Sequence, residues 1–217
     1  MPDDEPFADD AVLVQAARAL VTGGAVIVPT DTVYGVAVSP EVRGATSQLF
    51  ALKQRPEEQA LAVLVASPEQ GLSLADAEAL GPDDWARVEA LARRWWPGAL
   101  TLVLPRNRTA AHYELGGATD TIGVRCPASL PVRALAERVG PLVTTSANAH
   151  GEPTPATAAE AVAALHGEVA VVVDGGPCTE PASTVLDVTT TPWRVLREGA
   201  VSAADLGVAG SSHEARS

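Results

Sequence analysis

The stretch Ala25-Val26-Ile27-Val28-Pro29-Thr30-Asp31-Thr32-Val33-Tyr34-Gly35 joins an apolar run to a polar cluster. Residues 25–28 are short and apolar, as in a buried strand, and residues 36–38 resume an extended pattern. Three hydroxyl groups and one carboxylate therefore crowd a strand end, where α/β sheets commonly bind ligands. The alternative is that Thr30, Asp31 and Thr32 form a turn and satisfy local backbone groups.

The rest of the chain alternates between helix and strand patterns. Apolar residues recur at helical spacing in several segments, and short apolar runs bounded by turn residues lie between them. Helices are expected at residues 12–21, 41–53, 68–80, 83–96, 130–139 and 157–166, and further strands at residues 61–65, 99–104, 121–126, 142–145, 169–173, 184–188 and 193–197. Some neighbouring strands have no helix between them, which predicts an α/β fold with a single mixed parallel and antiparallel sheet flanked by helices.

Length and composition indicate one globular domain. The 217 residues are 47% apolar, which is enough to form a sizeable core. We expect a flexible acidic N-terminus at residues 1–10, one domain at residues 11–206 and a flexible tail at residues 207–217.

Charge and cysteine content exclude several classes of function. The formal net charge of −12 argues against sequence-independent RNA binding, which needs a basic face. The N-terminus lacks the basic and apolar regions of a signal peptide, and no apolar run is long enough to span a membrane. Cys126 and Cys178 are too few for a disulfide framework. These features predict a cytoplasmic location, no membrane association, and weak or no direct RNA binding.

Lys53-Gln54-Arg55 is the clearest candidate for anion binding. Lys53 is the only lysine in the chain, which otherwise uses arginine for its basic side chains. A compact ammonium group two residues before a guanidinium group suits phosphate or carboxylate ligands. The alternative is a solvated helix end, because basic residues favour a helix C-terminus and Pro56 would stop the helix.

Further polar clusters occur at other expected strand ends, namely residues 121–125, 144–148 and 183–184. If these ends converge, they form a crevice of hydroxyl groups lined by Lys53, Arg55, Arg125 and Arg197, which suits a polyanionic ligand. Arg125 and Arg197 each have an alternative as partners in structural salt bridges. The chain has no Gly-x-Ser-x-Gly elbow, no phosphate loop and no Gly-x-Gly-x-x-Gly motif.

Together these segments resemble the threonylcarbamoyl-adenylate synthase family, which has the YrdC-like fold. The motifs that carry the resemblance are Pro29–Gly35, Lys53-Gln54-Arg55-Pro56, Trp96-Pro97-Gly98-Ala99-Leu100-Thr101, Val124-Arg125-Cys126-Pro127, Ser146-Ala147-Asn148, Asp174-Gly175-Gly176, Ser183-Thr184 and Leu196-Arg197-Glu198-Gly199. The resemblance implies a twisted mixed sheet with a large central cavity lined by positive charge. It also implies synthesis of threonylcarbamoyl-AMP and pyrophosphate from L-threonine, bicarbonate and ATP, the first step of N6-threonylcarbamoyladenosine formation in transfer RNA.

The same resemblance assigns roles to individual residues. Lys53 and Arg55 would act in catalysis on the phosphates. L-threonine would contact Thr30, Tyr34, Arg125, Thr144 and Ser183, and ATP would contact Arg55, Thr121, Ser146, Asn148, Thr154 and Arg197. No residue is expected to ligate a metal; Mg²⁺ would enter with ATP, and the unstable product would pass to a separate tRNA threonylcarbamoyl transferase complex.

One departure from the family pattern concerns Leu64. Many relatives have a histidine there that contacts threonine, whereas Leu64 cannot form a hydrogen bond. This departure is compatible with a YrdC-like paralogue of unassigned activity. A non-enzymatic RNA-binding module is a third alternative, although the net charge of −12 counts against it.

Overall fold

The computed structural model describes residues 10–149 and 151–208. The expected flexible N-terminus and most of the expected tail lie outside the described residues and stay predictions. The helices are α1 (Asp10–Val21), α2 (Ala45–Lys53), α3 (Pro68–Leu72), α4 (Ala77–Leu80), α5 (Pro82–Trp95), α6 (Leu130–Val139) and α7 (Ala158–Ala163). The strands are β1 (Val26–Pro29), β2 (Tyr34–Val38), β3 (Ala62–Leu64), β4 (Leu100–Pro105), β5 (Thr121–Arg125), β6 (Leu142–Ser146), β7 (Val171–Val172), β8 (Thr184–Asp187) and β9 (Arg194–Arg197).

All nine strands form one sheet in the order β7-β1-β2-β6-β3-β5-β4-β8-β9. Three neighbouring pairs are parallel, namely β1 with β7, β3 with β5 and β4 with β8, and the other pairs are antiparallel. The predicted mixed sheet is therefore confirmed. Within the described ranges, no helix is both long and apolar enough to cross a membrane.

Helices α1 and α6 cover part of one face of the sheet. Leu13 and Leu20 of α1 and Leu135 of α6 form a core with alternate strand residues, including Val28 and Leu142. The intervening strand residues, including Ile27, Val36, Val63, Val124 and Val143, belong to a larger core on the opposite face. This division follows from the two-residue periodicity of side chains along a strand.

Helix boundaries differ from the sequence-based expectation where local hydrogen bonds intervene. The helix expected at residues 68–80 is wrong, because the chain forms α3 and α4 with a break between them. The Asp76 carboxylate accepts hydrogen bonds from the backbone N–H groups of Glu78 and Ala79 and so begins a new helix. The Asp76 N–H also donates to the carbonyl of Pro105 at 2.8 Å, which draws this break to the end of β4.

Helix α2 ends in a reversal that separates Lys53 from Arg55. Gln54 has left-handed backbone angles (φ 50°, ψ 41°). Its N–H donates to the Ala51 carbonyl, and the Arg55 N–H donates to the Phe50 carbonyl, which is the Schellman pattern of helix termination. A non-glycine residue in this region is strained because its Cβ approaches a backbone carbonyl oxygen.

We expect Gln54→Val to lower the free energy of unfolding by about 1–2 kcal/mol more than Gln54→Gly does, because only glycine avoids the strain. Urea denaturation measures this difference. Gln48→Val, at an exposed position in the middle of α2, is the matched control and should cost less than about 1 kcal/mol. Equal losses at positions 48 and 54 would contradict the assigned conformation of Gln54.

Candidate active site

A cavity of about 350 Å³ lies on the same sheet face as α1 and α6, over the part of that face that the two helices leave uncovered. Its floor includes small residues of three strands, Gly35 of β2, Ala62 of β3 and Gly123 of β5. On β6, the same face changes from Leu142, which packs with the helices, to Thr144 in the cavity. The site therefore lies over the sheet face and not only at strand ends, and the expectation of a crevice at strand ends was too narrow.

Most of the predicted site residues meet in this cavity. Nine of the twelve line it, namely Thr30, Arg55, Thr121, Arg125, Thr144, Ser146, Thr154, Ser183 and Arg197. The other three, Lys53, Tyr34 and Asn148, are buried behind its wall. The polar clusters therefore converge in one cavity, whereas the individual ligand contacts of these residues stay predictions.

Arg125 is a buried cation held by three neighbours. Its Nε donates to the Gly98 carbonyl at 2.9 Å, one terminal nitrogen to Thr32 Oγ1 at 2.9 Å and the other to Asp31 Oδ1 at 2.7 Å. Burial lowers the pKa of Arg125, and the Asp31 carboxylate opposes that shift. The alternative of a structural salt bridge is thus realised, and the same side chain still faces the cavity.

The hydroxyl group of Thr30 is saturated by its own turn. Its Oγ1 donates to the Val33 carbonyl at 2.6 Å and accepts from the N–H groups of Thr32 and Val33. Thr30 Oγ1 also lies 3.0 Å from Thr32 Oγ1. Because the Thr30 hydroxyl proton is donated to the Val33 carbonyl, the Thr32 hydroxyl is the donor in this second hydrogen bond. Thr32, buried in the cavity wall, is therefore the polar link between this turn and Arg125.

Arg55 and Arg197 lack carboxylate partners among the described residues. Arg55 donates to the Ala60 carbonyl at 3.2 Å and approaches Thr145 Oγ1 at 3.5 Å, and its Nε is buried without a hydrogen-bond partner. Arg197 donates to the carbonyl and hydroxyl oxygens of Ser183, both at 3.0 Å. Burial lowers the pKa of both guanidinium groups, and the positive charge of a neighbouring arginine lowers each pKa further. Unpaired positive charge of this kind attracts a polyanion.

Lys53 is a buried side chain that lies behind the cavity wall and forms hydrogen bonds to it. The residue is 2% exposed, and its ammonium group donates to the Ser146 carbonyl, to Ser146 Oγ at 3.4 Å and to Asn148 Oδ1 at 3.2 Å. Burial lowers the pKa of Lys53 from 10.5 to about 8, and the Arg55 charge adds to the shift. The alternative of a solvated helix end is wrong, because the ammonium group ties the end of α2 to the end of β6.

Tyr34 is also part of the supporting structure. Its hydroxyl donates to the Gly176 carbonyl at 2.7 Å and accepts from the Gly175 N–H at 3.1 Å, and burial raises its pKa to about 12. A Cβ at Gly175 would lie 2.7 Å from the Pro29 ring, so only glycine fits there. Tyr34 thus holds the Asp174-Gly175-Gly176 turn against the end of β1.

Several residues of the cavity wall were not predicted. Thr101 Oγ1 lies 3.0 Å from Ser183 Oγ, and Leu115, Gly116 and Ala118 form part of the wall. Thr101 could have been found from the alternation of β4, where it faces away from the buried Leu100 and Leu102. The 115–118 segment carries no comparable periodic signal.

Metal-ligating side chains do not converge in the described part of the chain, where no three His, Cys, Asp or Glu residues form a candidate site. The residues that line the cavity likewise include no carboxylate. A cation would therefore have to be held mainly by a bound polyanion.

The fold and the site match a known family. A family model for Sua5, YciO and YrdC proteins, described as telomere recombination, matches residues 18–199. The chain belongs to this family.

Two relatives are named as synthases. The chain is 36% identical over 188 residues to the threonylcarbamoyl-AMP synthase of Pyrococcus abyssi, covering 85% of this chain and 53% of the relative. It is 37% identical over 193 residues to a putative threonylcarbamoyl-AMP synthase of Mycobacterium tuberculosis, covering 88% of this chain and 85% of the relative. The chain therefore spans about half of the first relative and most of the second.

A solved structure adds a ligand complex. The crystal structure of P. abyssi Sua5 complexed with L-threonine is similar to this structure with a TM-score of 0.74 and 33% identity. The match covers 87% of this chain and 54% of the P. abyssi chain.

The depressed pKa of Lys53 predicts a pH-dependent difference in stability between the wild type and Lys53→Met. Between about pH 8 and 10.5 the unfolded chain keeps the Lys53 proton and the folded chain releases it. The penalty of burying the charge is complete below pH 8 and is relieved as the pH rises. From pH 7.5 to 10 the wild type should gain about 2 kcal/mol relative to Lys53→Met in urea denaturation. A constant difference would show that the buried group keeps an ordinary pKa.

The small floor of the cavity predicts that Gly123→Val blocks ligand entry without unfolding the protein. A Cβ at Gly123 would meet Thr101 Cγ2 at 3.8 Å and Ala62 Cα at 3.9 Å, which are ordinary contacts. The two valine methyl groups would then occupy cavity space. We expect at least a tenfold weaker affinity for ATP by calorimetry, a smaller effect for Gly123→Ala and little change in Tm. Unchanged ATP affinity in the valine variant would place the nucleotide elsewhere.

Proposed function

We propose that this chain is an L-threonylcarbamoyladenylate synthase, a nucleotidyltransferase that condenses L-threonine, bicarbonate and ATP. The main observation in support is that a single cavity contains two kinds of cationic group. Arg125 is paired with Asp31 and suits a single carboxylate, whereas Arg55 and Arg197 have no carboxylate partner and suit phosphates. The names of the two relatives and the L-threonine complex of the P. abyssi protein agree with this assignment.

The proposed reaction needs positioning more than a protein nucleophile. The threonine amine bonds to the carbon of bicarbonate, water leaves, and the resulting carbamate oxygen attacks the α-phosphorus of ATP. The bond from that phosphorus to the bridging oxygen of the β-phosphate breaks, and pyrophosphate leaves with the electron pair. Arg55 and Arg197 would stabilise the charge that develops on the phosphates. Holding the reactants together supplies much of the rate.

Other expected features of the family fit this proposal. Mg²⁺ would neutralise phosphate charge, and it would be held by ATP because the cavity wall has no carboxylate. The product would pass to a separate transferase complex that acts on transfer RNA. We place the reaction in the cytoplasm, and direct contact with RNA is not part of the proposal.

The role of Lys53 within this proposal is indirect. Its ammonium group is behind the wall, where it fixes Ser146 and Asn148. Direct contact with phosphate would require the ammonium group to leave three acceptors. We therefore assign Lys53 to positioning the Ser146–Asn148 segment, and we assign phosphate contact to Arg55.

Leu64 is the position at which this chain departs from the family pattern expected for the proposed activity. It is 2% exposed, lines the cavity and is in register with Arg125 on the neighbouring strand. An apolar side chain there can pack against the methyl group of threonine but cannot bond its hydroxyl. Selectivity for L-threonine over L-serine should therefore depend on the methyl contact, and it is expected to be only about 10- to 200-fold.

The decisive measurement is pyrophosphate release from ATP and Mg²⁺, with each of L-threonine and bicarbonate omitted in turn and with L-serine in place of L-threonine. We expect release that requires both co-substrates and is slower with L-serine. Folded protein that binds ATP but releases no pyrophosphate under any combination would contradict the proposal and favour a paralogue with another activity.

The assignment of Arg55 has its own test. Arg55→Met should lower kcat/KM for pyrophosphate release by about 10²–10³-fold, because it removes a charge that acts on the developing pyrophosphate. Arg93→Met, which removes a solvent-exposed arginine of α5, is the control and should leave the rate unchanged. Equal rates for the two variants would remove Arg55 from the catalytic machinery.

A further inference from the structure

Asp31 and Arg125 form an ion pair unlike the others in the described part of the chain. The Asp31 Oδ1 to Arg125 nitrogen distance is 2.7 Å, and the side chains are only 19% and 6% exposed respectively. The pairs Arg87–Asp84 and His112–Glu41 lie at the surface. A buried ion pair adds little net stability compared with apolar residues of the same volume, so stability alone does not account for it.

The pairing leaves Arg125 with a limited capacity for ligands. Three of its five N–H donors are engaged by Gly98, Thr32 and Asp31, and its charge is neutralised by Asp31. Asp31 lies outside the set of residues that line the cavity, so it contacts Arg125 from behind. Two remaining donors suffice for one carboxylate. A phosphate with two or more charges would be repelled by Asp31 without full compensation.

Arg55 and Arg197, in contrast to Arg125, have positive charges that no nearby carboxylate neutralises among the described residues. Neither has a carboxylate within 4.0 Å among the described residues, and Arg55 Nε is buried without a partner. Arg55 binds the carbonyl of Ala60, just before β3, whereas Arg125 is in register with Leu64 at the other end of that strand. Arg197 is close enough to Arg125 for the two charges to interact. A polyphosphate on Arg55 and Arg197 would therefore also be drawn to Arg125 if that charge were not neutralised.

We propose that Asp31 is a specificity-determining residue of this cavity, which reserves Arg125 for a carboxylate and leaves phosphate groups to Arg55 and Arg197. The proposal rests on the proposed function for the identity of the carboxylate ligand. The exclusion of phosphate from Arg125 depends only on the geometry. Asp31 would thereby prevent ATP from occupying the space that the amino acid needs.

Asp31→Asn tests the proposal with inorganic tripolyphosphate as the probe, because the amide keeps the shape and one acceptor oxygen but removes the charge. We expect tripolyphosphate to bind at least tenfold more tightly to this variant than to the wild type, by calorimetry at low ionic strength. Asp84→Asn makes the same change of net charge at the surface pair and should shift the affinity less than twofold. Equal shifts for the two variants, or none, would overturn the proposal.

A second variant covers the case in which Asp31→Asn does not fold. The double variant Asp31→Asn/Arg125→Met removes both charges of the pair and should leave the affinity of tripolyphosphate within about twofold of the wild type, since phosphate does not use the neutralised pair. A loss of tenfold or more in that variant would show that phosphate already occupies Arg125. Tripolyphosphate binding is measured without turnover, so absent pyrophosphate release would contradict the proposed function and leave the role of Asp31 to be decided by tripolyphosphate binding.

Discussion

The buried guanidinium group of Arg125 is the interaction on which the cavity depends. Removing a charge from water is costly unless the surroundings supply a counter-charge and hydrogen bonds. Here the surroundings come from parts of the chain 27, 93 and 94 residues away, namely Gly98, Thr32 and Asp31. The requirement to satisfy one side chain therefore fixes the turn after α5 and the loop between β1 and β2 against β5.

Lys53 illustrates a different way of burying a charge. Among the described residues it has no carboxylate partner and is held by neutral oxygen acceptors of Ser146 and Asn148. Burial, with the Arg55 charge, lowers its pKa to about 8. The left-handed turn at Gln54 places Lys53 in the interior and Arg55 in the cavity wall, although they are two residues apart. The two cations of one short motif thus lie in separate environments, one buried among neutral acceptors and one in the cavity wall.

The mixed sheet and the polar segments that contribute to the cavity were predictable because they follow from local patterns. Short apolar runs without intervening helices indicate antiparallel neighbours, and hydroxyl-rich ends mark the site. Element ends were less predictable, as the break at Asp76 shows, since they depend on caps and on contacts with distant carbonyls. For Arg125, the sequence left two alternatives, a ligand-binding residue or a partner in a structural salt bridge, because its neighbours in space were not known.

The sequence by itself determined the class of fold, the motifs and the types of side chain available to the site, because periodicity, turn residues and residue chemistry act over a few positions. Only the tertiary structure decided which strands are neighbours, which part of a sheet face remains uncovered, and which cations have partners. Those properties depend on contacts between residues far apart in the chain. Among the described residues, the charge of Arg125 is balanced and that of Arg55 is not, because of these two side chains Arg125 alone lies beside a carboxylate once the sheet has formed.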